Sequence, residues 1–140
     1  MLSQVLISLS AAICLFAGTL HLHGSFFGPD LRPKDAGLQA RMMEVPLNIS
    51  DHTTVWRAWI GFNAVLSLGL MLFGLLYGYL AIFSLQLLAN SPFLLALGLV
   101  FLASLVVIWK RYTYYLPTLI FALSLVLYAA GAASAGFGFQ

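Results

Sequence analysis

Few side chains in this 140-residue chain have the type and spacing for chemistry, and they are His21, His52, Trp56, Trp59, Asn63 and Ser67. Counting about 100° per residue around a helix, His52, Trp56, Trp59 and Ser67 fall within roughly 60° of Asn63, and Gly74 and Gly78 continue the stripe. His21 closes an earlier apolar run on the face that carries Ser10, Cys14 and Ala17, with Gly18 at its edge. One histidine ends that run and the other precedes the next, so both stand at the same end of their segments. Two imidazoles brought together there are the only candidate metal ligands. They would hold a haem b iron axially or hydrogen-bond a quinone carbonyl. Asn63 has four hydrogen-bonding sites that cost free energy when dry, so it predicts a partner on another helix, in water or in a ligand.

The same residues also read as a packing face. Lipid supplies no hydrophobic drive between helices, and close approach then needs small residues such as the Gly74-xxx-Gly78 pair. A second seam carries Ser124, Tyr128, Gly131 and Ala135 at steps of four, three and four. An interfacial histidine equally serves as an amphipathic anchor. Arg57 points away from the stripe and is expected to snorkel or to pair with Asp51 or Glu44.

The elements that position these residues follow from composition. The chain is 62% hydrophobic and 7% charged, too few charges to wet a soluble domain. Runs at 5–22, 55–83, 92–109 and 116–137 meet or approach the roughly 20 residues that cross a bilayer. The expected class is all-α: an integral membrane four-helix bundle forming a single transmembrane domain over 1–140. The polar connection, 23–54, contains an amphipathic stretch at 34–45 with Leu38, Met42 and Val45 on one side, which predicts an interfacial helix. Pro33 opens it, Pro46 stops it, and Ser50 or Asp51 is expected to cap the second span. His23 falls past the expected end of the first span, and the glycine- and alanine-rich end, 131–140, is expected to fray.

Several classes are excluded. Cys14 is alone, which rules out an internal disulfide and paired-thiol redox chemistry. No acidic residue lies in a span, against proton-coupled antiport through a membrane carboxylate. Neither G-x-S-x-G nor H-E-x-x-H occurs, and no basic stripe offers itself to nucleic acid. All six Lys and Arg lie in the first and third connections, so these are expected in the cytoplasm and both termini outside, periplasmic or extracellular. Trp56, Trp59, Trp109, Tyr112, Tyr114 and Tyr115 crowd the same charged side as an aromatic belt. The first run starts without Lys or Arg and precedes no small-x-small site, so it reads as a retained helix.

Gly18-Thr-Leu-His21-Leu, Trp56-Arg-Ala-Trp-Ile-Gly-Phe-Asn63 and Leu72-Phe-Gly-Leu-Leu-Tyr-Gly-Tyr79 together resemble a family of uncharacterised small bacterial four-helix integral membrane proteins. The resemblance covers about the first 80 residues, implies a bacterial inner-membrane protein, and brings no catalytic residues with it. The leading reading is a non-enzymatic accessory or binding protein with no cofactor. Its partners would be the lipid bilayer and either further copies of itself or a larger membrane complex. The alternatives are a haem- or quinone-binding redox protein using His21 and His52, and an oligomeric small-solute channel or carrier.

Overall fold

The computed structural model describes residues 1–137, with side chains through Ala135. Its elements run α1 (Leu2–Phe27), α2 (Ala36–Glu44), β1 (Pro46–Leu47), β2 (Ser50–Thr54), α3 (Val55–Phe83), α4 (Leu85–Ala89), α5 (Pro92–Tyr112) and α6 (Tyr115–Phe137). Four of the helices, α1, α3, α5 and α6, are long and apolar enough to cross a membrane. α3 coincides with the expected run 55–83, whereas α1, α5 and α6 exceed theirs because helical hydrogen bonding continues beyond the apolar stretch. His23 therefore lies inside α1, its ring 5.3 Å from Phe27, rather than past the helix end. Lys110 and Arg111 form the last turn of α5, where their charge complements the carbonyl end of the helix dipole. Residues 131–137 are helical rather than frayed, and 138–140 lie outside the described residues.

Caps explain most boundaries. Asp35 accepts from the amides of Gly37 (2.8 Å) and Leu38 (3.3 Å) and starts α2, so the helix begins one residue after its acidic cap and not at Pro33. Ser91 caps α5 through the amide of Leu94 (3.3 Å), with Pro92 at the first helical position. The cap of α3 is Thr54, whose hydroxyl accepts from the Arg57 amide at 3.3 Å, in place of Ser50 or Asp51. Those two residues belong to β2, which pairs antiparallel with β1 through Pro46↔Thr54 and Leu47↔Ser50. The register breaks between these pairs and leaves 51–53 bulged from the ladder. The second connection, uncharged as expected, contains the short helix α4 with Leu88 fully buried.

The chain divides into two compact units, one of Met1–Phe16 with Leu70–Gln140 and one of Ala17–Gly69. In the first unit the small residues let backbones approach. A Cβ on Gly74 would stand 2.6 Å from the Leu15 Cβ and 2.7 Å from the Ala11 carbonyl oxygen, so only glycine fits α3 against α1 at this point. Gly78 is looser, its nearest neighbour being the Ala11 Cβ at 3.6 Å. Gly131 brings α6 onto α1, where an added Cβ would lie 2.7 Å from Ile7. Beside it Ser10 and Ser124, both fully buried, bond each other's hydroxyls at 2.8 Å, and Ala135 is 2% exposed. A buried aromatic group of Phe73, Tyr77 and Tyr128 joins α3 to α6, with Phe101 of α5 stacked on Phe73 at 4.9 Å.

Candidate functional site

The six candidate site residues all fall in one unit, Ala17–Gly69. In the Ala17–Gly69 unit, Asn63 is the hub of a hydrogen-bonded chain. Its amide donates to the Trp59 carbonyl at 2.7 Å and its Oδ1 stands 3.1 Å from His21 Nε2. An amide oxygen cannot donate, so the contact requires the proton on His21 Nε2 and fixes the neutral ring's tautomer, with Nδ1 as its acceptor. Ser67, fully buried, donates to the Asn63 carbonyl at 2.8 Å, and buried Ser25 donates to the His21 carbonyl at 2.7 Å. Trp59, Asn63 and Ser67 are thus linked at steps of four along α3, and one side-chain contact carries the chain across to α1.

Trp59 extends the network outward. Its indole N–H donates to the Leu31 carbonyl at 2.9 Å and ties the connection that follows α1 to the first turns of α3. Two clefts lie in this unit, each of about 310 Å³. Asp30, Leu31, Pro33, Met42 and Trp59 line one, Trp56, Gln39, Met43, Ile60 and Phe26 line the other, and Arg32 is common to both.

His52 stands apart from the stripe. It occupies the bulged part of β2 with its side chain exposed, so helical spacing does not govern where it points. The side chain that meets His21 across the helices is Asn63. Among the described residues, no three His, Cys, Asp or Glu side chains gather where they could hold a metal. Arg57 is exposed and makes no ion pair with Asp51 or Glu44. Ser67 remains in the polar chain, whereas Gly74, Gly78, Ser124 and Gly131 meet α1 in the other unit, where Ala135 is buried.

Two positioning residues, Gly98 and Tyr77, escape a reading by spacing alone, and both meet Tyr128 of the α6 seam. Gly98 of α5 faces the Tyr128 ring so closely that a Cβ would collide with the hydroxyl. Tyr77 donates to the Leu94 carbonyl at 2.7 Å, and Tyr128 reaches the Leu94 and Leu95 carbonyls at 3.4 Å. The available signals were a lone glycine in an apolar run, which marks close approach, and tyrosines in spans, whose hydroxyls must find acceptors. Arg32 and Gln39 carry no such pattern, because only the fold of the connection brings them beside Trp56.

Compared with protein-family models, with curated proteins and with solved structures, the chain matches none.

Proposed function

We propose that this chain is a non-enzymatic accessory or binding protein of the bacterial inner membrane. Its four apolar helices would form a bundle, α2 would lie in the cytoplasmic interface, and both termini would be outside. The observation that carries this reading is the His21–Asn63–Trp59 chain. It commits His21 Nε2 and the Asn63 carboxamide oxygen to each other, so a haem iron entering at that nitrogen would have to break a hydrogen bond already made. The polar stripe then works as a joint, and recognition falls to the two clefts of the Ala17–Gly69 unit. The distribution of all six basic residues and the exposed Tyr112, Tyr114 and Tyr115 beside Lys110 and Arg111 support the orientation.

Two measurements on one preparation test the reading. The protein purified from membranes should show no Soret band, and liposomes containing it should pass small solutes no faster than empty ones. A Soret band that disappears in His21→Ala would favour the redox alternative, and protein-dependent flux would favour a channel or carrier.

A further inference from the structure

The two clefts differ in chemistry, and the one that Trp56 lines has two kinds of wall. Phe26 from the last turn of α1, Ile60 of α3 and Met43 of α2 make it apolar, while Arg32 and Gln39 bring polar groups. Among the described residues, the Arg32 guanidinium, the Gln39 amide and the Trp56 indole N–H have no protein partner. All three are donors, and one carries full positive charge. Asp30 lines the adjoining cleft with Arg32 but not this one. A site that offers donors and one cation above apolar walls suits an amphiphile with an anionic, acceptor-rich head.

Depth points the same way. At about 1.5 Å per residue, the 26 residues of α1 run about 39 Å and the 29 of α3 about 43 Å, against about 30 Å of hydrocarbon. Eight of the chain's ten charged residues lie in 30–57, at this end of the two helices, and with the excess placed there the last turn of α1 and the first turns of α3 stand in the headgroup layer. Phe26, Trp56 and Ile60 then meet the glycerol region, and Arg32 is within reach of phosphate. Arginine matches a phosphodiester because its planar fork donates twice to one group.

Building on the binding-protein reading, we infer that the cleft formed by Arg32, Gln39, Trp56, Phe26, Met43 and Ile60 binds the headgroup of an anionic phospholipid. The guanidinium and the Gln39 amide take the phosphate, and the apolar walls take the glycerol and the first acyl carbons.

The test uses the full chain in maltoside micelles, followed by tryptophan fluorescence. It is titrated with short-chain phosphatidylglycerol, with phosphatidylcholine of the same chains, and with inorganic phosphate. Phosphatidylglycerol should give a saturable change and phosphatidylcholine a much weaker one, while phosphate alone should give none. Arg32→Gln should raise the phosphatidylglycerol Kd about tenfold, as loss of one charge-assisted hydrogen bond does. Arg41→Gln, an exposed cation outside the cleft, should leave it unchanged. Met43→Glu, which puts an anion in the apolar wall, should weaken binding with Arg32 intact. Equal binding of the two lipids, competition by phosphate alone, or an unaltered Kd in Arg32→Gln would each overturn the assignment. The binding-protein reading fails on different signals, the Soret band or the solute flux.

Discussion

The two glycines of Gly74-xxx-Gly78 should respond in opposite directions to the same added methyl. At Gly74 the new carbon would sit 2.6 Å from the Leu15 Cβ and 2.7 Å from the Ala11 carbonyl oxygen. Comfortable contact needs about 3.5 Å or more, so α1 and α3 must separate by roughly 1 Å, and a backbone atom cannot rotate aside. Overpacking of this kind costs about 1–3 kcal/mol, while alanine in place of a helical glycine returns about 1 kcal/mol. Three contacts under 3 Å, two of them to backbone atoms, put the overpacking in the upper half of that range, so Gly74→Ala should lose about 1–2 kcal/mol. At Gly78 the nearest atom is 3.6 Å away, an ordinary contact, and Gly78→Ala should be neutral or gain up to about 1 kcal/mol. Unfolding by dodecyl sulfate in mixed micelles, followed by circular dichroism, measures both. A Gly74→Ala variant as stable as the parent, or two variants equally destabilised, would refute the packing argument.

Gly98→Ala should destabilise because its Cβ meets the Tyr128 hydroxyl, and Tyr128→Phe in the same chain should recover part of the loss by removing that oxygen. The recovery is read in the same unfolding assay, and strictly additive losses would contradict the contact. Cysteines placed at Lys34 and Asn90 in a Cys14→Ser background should react with a membrane-impermeant maleimide from opposite sides of intact cells, with Asn90 labelled from outside. Labelling of Lys34 from outside would reverse the proposed orientation.

The four long apolar helices were legible because a run of that length and hydropathy has few other uses, and Gly74 and Gly131 were legible because small residues at helical spacing let such helices approach closely. Within the connection the helix at 36–44 was legible, and the hairpin after it was not. Residues 50–54 alternate too weakly to announce a strand, and pairing with Pro46–Leu47 takes Ser50 and Asp51 away from capping and hands that role to Thr54. The same pairing lifts His52 off the helical face on which spacing alone would place it. The demand of Asn63 for a partner was visible in its chemistry, but its choice of His21 depends on how α1 and α3 meet within the Ala17–Gly69 unit.

A double-mutant cycle on His21 and Asn63 tests the central claim most directly, that the polar stripe is a joint between α1 and α3. Stabilities of the parent, His21→Ala, Asn63→Ala and the double variant should give a favourable coupling of about 0.5–1.5 kcal/mol, the range for side-chain hydrogen bonds between membrane helices. A coupling indistinguishable from zero would mean that the pair does not hold the helices, and His21 and Asn63 would return to being candidates for binding a ligand.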